Sequence, residues 1–164
     1  MKTTVRTRLM GAVTGAALAA GVLTATAAPA SAAAIKCAAD DRYTGCLTIE
    51  YAGDQRWDVL VGFDRYLPEA YAREIIACPG AGRLTAKIMG SDPSNSDDDL
   101  GLAYLKSGWP KAGPRGLSAE FSRSSMNLNE DSGEADEVYA EISYYDCHTG
   151  LTQSFKTGLH KGKF

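Results

Sequence analysis

Apolar and polar positions alternate along much of this chain, and the alternation predicts strands. Between Cys46 and Tyr51, Leu47, Ile49 and Tyr51 fall on one side and Thr48 and Glu50 on the other. Trp57, Val59, Val61 and Phe63 repeat the pattern opposite Asp58, Leu60 and Gly62. A period of two marks a half-buried strand, and the short link Ala52-Gly53-Asp54-Gln55 between the runs predicts a β-hairpin. Leu84, Ala86 and Ile88 predict another strand. Leu117, Ala119 and Phe121 predict one more, as do Val138, Ala140, Ile142 and Tyr144. Leu151 to Thr157 follows a turn at His148-Thr149-Gly150. The last three runs are expected to form an antiparallel meander, with an exposed polar link from Asn127 to Asp136.

The period changes once. From Pro68, Tyr71, Ile75 and Cys78 recur at helical spacing, with Glu69 in the first turn and Pro79-Gly80 as the stop. These signals predict one short helix over about 68–77. Residues 33–45 are small and polar, with a turn expected at Thr44-Gly45. Ala33 to Lys36 is expected to lack regular structure. Trp109-Pro110, Gly113-Pro114 and Gly116 predict a rigid loop. The expected architecture is therefore α+β: a single disulfide-stapled domain with a mainly antiparallel sheet of five or six strands and one short helix.

The first 32 residues have a different texture. Lys2, Arg6 and Arg8 precede an uncharged apolar run, Gly11 to Leu23, and the segment closes on Ala30-Ser31-Ala32. This is the pattern of a secretory signal peptide, too short in its apolar part to anchor in a bilayer. The expectation is a leader at 1–32 and a single exported, extracellular domain at 33–164.

Charge narrows the classes of partner. The chain has 17 basic and 20 acidic side chains, and three of the bases lie in the leader, leaving 14 against 20. A net negative domain argues against nonspecific nucleic-acid binding and against anionic membranes. All four cysteines, Cys37, Cys46, Cys78 and Cys147, lie after the leader. An even number in an exported chain predicts two disulfides; of three connectivities, Cys37–Cys46 with Cys78–Cys147 is the expected one.

Candidate chemistry is sparse. Asn95, Asp97 and Asp99 alternate as calcium ligands do. Leu100 and Lys106, however, occupy the positions where that loop needs a glycine and an acid. Cys147-His148 has no spaced partner motif for zinc. No metal and no cofactor is expected. The two histidines, His148 and His160, have no G-x-S-x-G serine to serve. Glu120, Arg123, Glu141 and His148 could imitate the Glu/Arg/His set of a small secreted ribonuclease. The alternative function is accordingly a nuclease- or glycosidase-like hydrolase using Glu120 or Glu141.

The favoured expectation is a non-catalytic module that binds another extracellular protein, as an adaptor or an inhibitor. Trp109 and Arg115 are hot-spot residue types on a rigid loop. Ile35 and Lys36, in the segment before Cys37, are a second expected contact element. In its leader and size the chain resembles small exported proteins of Gram-positive bacteria. Cys78-Pro79 resembles the reactive-site segment of the subtilisin-inhibitor family, but the following Gly80-Ala81-Gly82 and the cysteine spacings depart from it, so no site is carried over. The adaptor subunits of secreted toxin assemblies are similar in size and in lacking a catalytic motif.

Overall fold

The computed structural model describes residues 33–78, 84–91, 96–129 and 135–164. The leader expected at 1–32, the helix stop at Pro79-Gly80, Asn95 and the acidic residues 130–134 lie outside the described residues. Among the described residues, ten strands and one helix follow in chain order: β1 Ala34–Ala39, β2 Tyr43–Gly53, β3 Arg56–Arg65, α1 Glu69–Ala77, β4 Thr85–Gly90, β5 Asp98–Leu105, β6 Lys111–Gly113, β7 Gly116–Met126, β8 Asp136–Asp146, β9 Leu151–Lys156 and β10 His160–Gly162. Every strand pair is antiparallel. The mainly antiparallel sheet and the single short helix are thus as the sequence predicts, and the strand count is higher.

The strands form one sheet in the order β1-β2-β3-β7-β5-β4-β8-β10, with β6 beside β7 and β9 beside β8. β5 is the hinge of this sheet. Its first part, Asp98 to Ala103, pairs with β4, and only Tyr104 and Leu105 pair with β7. So short a junction lets the two halves curl over each other into a half-barrel, burying one face of each. Leu47, Val61, Phe63, Leu117 and Phe121 from one half meet Ala86, Ile88, Ala140, Ile142 and Tyr144 from the other in a single core. Phe155 of β9 bridges the layers: its ring centroid lies 4.8 Å from Tyr43, 5.2 Å from Phe63 and 6.0 Å from Tyr144. Helix α1 covers one end of the sheet with Ala72 and Ile75, both fully buried. Its Glu69 and Arg73 form an i,i+4 ion pair on the exposed side.

Several expectations are corrected. The C-terminal runs do not make a meander: β7 lies between β3 and β5, while β8 pairs with β4, β9 and β10. Alternation fixes which face a strand buries, not which neighbour it takes, and the connection after β7 is long enough to carry the chain across. From Ala34 on, the segment Ala33 to Lys36 is not irregular, since β1 pairs in unbroken register with β2 from Ala34↔Ile49 to Ala39↔Thr44. The turn lies at Asp40 rather than Thr44-Gly45: Asp40 Oδ1 accepts the backbone N–H of Arg42 at 2.7 Å and of Tyr43 at 3.0 Å. Leu128, in the link expected to be exposed, is fully buried. The segment around His160 is a strand on the same edge of β8 as β9. Buried Thr157 fills the gap between these two strands, its backbone N–H donating to Ala140 O and its hydroxyl accepting from Ala140 N, both at 2.9 Å.

Both disulfides join the expected partners, Cys37 to Cys46 and Cys78 to Cys147. The first crosses the β1–β2 pair at directly opposed residues. The second ties the end of α1 to the turn after β8 across 69 residues of chain. Among the described residues no helix is long and apolar enough to cross a membrane.

Candidate functional site

Among the described residues the inner face of the half-barrel is filled with side chains, and the outer face carries a cleft. Cross-strand register makes two rows there. Cys46, Gly62 and Glu120 stand side by side on β2, β3 and β7, and Thr44, Asp64 and Ser118 form the next row. These six residues floor a cleft of about 300 Å³, and Trp109 and Arg115 stand over it. A Cβ added to Gly62 would meet nothing within 4 Å, so the glycine leaves open space in the floor. A second hollow of about 200 Å³ continues along the same strands past Thr48, Leu60 and Ser122.

The wall of the cleft is the segment from Lys106 to Gly116, which the sequence marks as a rigid loop and which contains the short strand β6. Three features hold it. Lys106 N donates to Glu120 O at 2.9 Å and Trp109 N to Lys106 O at 3.2 Å. β6 pairs with the start of β7 from Lys111↔Ser118 to Gly113↔Gly116. Gly116 has φ 111°, and a Cβ there would collide with the carbonyl oxygen of Arg65 and lie 2.8 Å from Leu67 N. Only glycine satisfies both the conformation and the contact. The Trp109–Pro110 peptide is cis.

The charges in the cleft are unevenly satisfied. Glu120 Oε2 binds Lys106 Nζ at 2.7 Å, and Asp64 Oδ1 accepts the Ser118 hydroxyl at 2.5 Å. Lys111 Nζ sits 4.2 Å from the centroid of the Trp109 ring, a cation–π contact. The Thr44 hydroxyl is engaged with the Tyr66 hydroxyl at 2.5 Å. Arg115 has no hydrogen bond or ion pair among the described residues.

The other candidates fall elsewhere. Ile35 lies in β1 opposite Thr48 and two residues from Cys37, so it shares the outer face with the cleft floor; it is exposed. Lys36 points to the other face, where its charge reaches His160. Both belong to strand β1 rather than to an irregular segment. Glu141 is on the opposite half of the sheet, flanked across strands by Lys87 and Lys156. Trp109 is half-buried. On β8, Tyr139 and Tyr144 are buried and Tyr145 is half-buried.

Neither histidine stands beside Glu120 or Glu141. His148 Nε2 is 2.8 Å from Glu74 Oε2 and its ring lies against Tyr71, next to the Cys78–Cys147 bridge. Nearby, the Tyr71 hydroxyl donates to Asp146 Oδ2 at 2.6 Å, and that hydrogen bond leads the causes that push the Tyr71 pKa up to about 12. Burial alone would raise Asp146, but Tyr71 and the N–H groups of His148 and Thr149 hold it below the usual carboxylate range. His160 packs on Phe164, and burial, with Lys36 second, lowers its pKa. In the acidic loop, Asp97 Oδ2 accepts from the Tyr139 hydroxyl at 2.5 Å and Asp99 pairs with Lys87 at 2.8 Å. Among the described residues no group of three or more His, Cys, Asp or Glu side chains gathers to hold a metal.

Compared with families of known proteins, with characterised proteins and with solved structures, this chain matches none. Its site must be read from its own residues. Sequence reasoning singles out Trp109 and Arg115 together on one loop and Glu120 separately, and the fold puts all three in one cleft. It missed Gly62 and Asp64, whose place depends on the β3–β7 register; the only signal in the sequence was their position on the polar side of the β3 alternation.

Proposed function

We propose that this chain is a secreted, non-catalytic binding module that docks on another extracellular protein, as an adaptor subunit of an extracellular, toxin-like assembly or as an inhibitor. The observation that carries this reading is the clamped loop from Lys106 to Gly116, which holds Trp109 and Arg115 over an open cleft. A loop already fixed in place loses little conformational entropy on association, and Trp and Arg are the side chains that most often dominate a protein interface. Two disulfides in a domain of this size support an oxidising, extracellular setting. Ile35, on the same outer face, extends the contact surface toward β1.

The test is affinity purification of the tagged protein from its own culture medium, run beside Trp109→Ala and Arg115→Ala. The expected result is one co-purifying protein whose yield falls at least about tenfold with either variant, as for hot-spot truncations. Retention of that protein by both variants would move the contact surface away from this loop.

The hydrolase reading is favoured by one observation: Asp64 and Glu120 line the same hydroxyl-bearing cleft. Turnover of RNA or polysaccharide that Glu120→Gln abolishes would replace the binding proposal with that one. Glu141 lacks such a setting.

A further inference from the structure

We infer that the loop from Lys106 to Gly116 takes an acidic segment of the partner protein, with one carboxylate side chain entering the cleft against Arg115. The inference rests on the binding reading above and names the chemistry of the partner. Its basis is a local reversal of charge. Residues 33–164 are acidic as a whole, yet the loop holds Lys106, Lys111 and Arg115 and no acid. Two of these cations are spoken for. Lys106 is bound to Glu120 and Lys111 lies over Trp109. Of the three, only Arg115 has no hydrogen bond, ion pair or ring contact among the described residues, so its guanidinium can make paired, charge-assisted hydrogen bonds, and a carboxylate side chain, the anionic group a protein partner carries, matches that fork.

The cleft suits a carboxylate despite its own two acids. Glu120 is neutralised by Lys106, and one Asp64 oxygen is occupied by Ser118. The open floor at Gly62 leaves room for a side chain, and the face of Trp109 with its lysine offers an apolar wall under positive potential. Complementary charge of this kind also steers encounter and fixes register. A basic segment would instead meet Lys111 and Arg115, the two cations of the loop that no carboxylate neutralises among the described residues.

The experiment is an NMR titration of the disulfide-bonded protein with three probes: N-acetyl-tetraglutamate amide, N-acetyl-tetralysine amide and maltotriose. The readouts are the Trp109 indole N–H and the Arg115 Nε–H resonances. The expected result is saturable shifts with the glutamate peptide only, weakened about tenfold in Arg115→Gln, as for loss of one charged hydrogen-bonding partner. They should weaken further with added salt. Lys163→Gln, an exposed cation outside the loop, should bind as the parent does. Shifts with the lysine peptide, or glutamate binding unchanged in Arg115→Gln, would overturn the inference and leave the docking surface standing. Shifts with maltotriose alone would overturn both the inference and the protein-binding reading. Absence of shifts with either peptide would overturn the inference; the co-purification test would then decide the docking surface.

Discussion

The two disulfides close loops of very different length, and removing them one at a time should separate their contributions. Cys78 and Cys147 are 69 residues apart, Cys37 and Cys46 only 9. If each bridge acts by limiting the unfolded chain, the loop-closure relation gives about 4.4 kcal/mol for the long bridge and about 2.6 kcal/mol for the short one. Structure sharpens the contrast. Cys78 is buried at the end of α1, so Cys78→Ala also removes a packed sulfur, while Cys37 is exposed on an edge strand. The double variant Cys78→Ala/Cys147→Ala should therefore be less stable than Cys37→Ala/Cys46→Ala by about 1.8 kcal/mol or more, a gap of at least about 6 °C in melting temperature for a domain of this size. Urea unfolding of the two double variants beside the parent, followed by far-UV circular dichroism, measures this directly. Equal losses, or a larger loss from the short bridge, would refute the entropic argument and show that the β1–β2 bridge constrains the native sheet itself.

Two further outcomes follow from single residues. Gly116→Ala must place a Cβ against the Arg65 carbonyl at φ 111°, so it should destabilise by at least about 2 kcal/mol and broaden the resonances of residues 109–115; an unchanged urea midpoint would mean the β6–β7 hairpin is not clamped there. His160 is held below its ordinary value of 6.5 by burial first and by Lys36 second. The unfolded chain therefore binds this proton more readily than the folded one, and stability should be complete above 6.5 and decline as pH falls from there toward the lowered folded value. His160→Gln should flatten that decline in urea midpoints taken between pH 7 and 5, a window distinct from the titration of Asp99 and Asp146, whose values lie below 3.8.

Face and period were legible in the sequence; partnership was not. The inward residues of β2, β3, β7 and β8 could be named from alternation, because burying one side of a sheet forces a period of two; the exception is Tyr51, which shares the side of Leu47 and Ile49 but is exposed near the end of β2. The helix over 69–77 was legible for the same reason at a different period. The disulfide pairing was open among three connectivities, and the structure makes the expected one. The failures share a cause. β1 reads as loop because Ala34-Ile35-Lys36-Cys37-Ala38-Ala39 lies at an edge, where no face is deeply buried and no alternation is required. β10 is three residues long, and β5 exposes Leu102, Tyr104 and Leu105, so its apolar run does not mark a core. The meander failed because register between distant strands is set by how the whole sheet curls. The cleft was half legible: Trp109 and Arg115 stand out as residue types on a stiff loop, but what lies beneath them depends on β3 meeting β7 so that Gly62 faces Glu120.

The staples and the site are related by position. Cys46 is part of the cleft floor, in one row with Gly62 and Glu120, so the Cys37–Cys46 bridge fixes the edge of the surface over which Trp109 and Arg115 project. The Cys78–Cys147 bridge lies at the helix end, beside the Glu74–His148 pair, and neither of its cysteines lines the cleft. The bridge that does less for the unfolded chain is therefore the one that shapes the site. Among the described residues, Phe155, Tyr144 and their neighbours fill the inner face of the half-barrel. On the outer face the fold supplies a glycine gap in the cleft floor, a loop held by Gly116, and the guanidinium of Arg115, which makes no hydrogen bond or ion pair among the described residues.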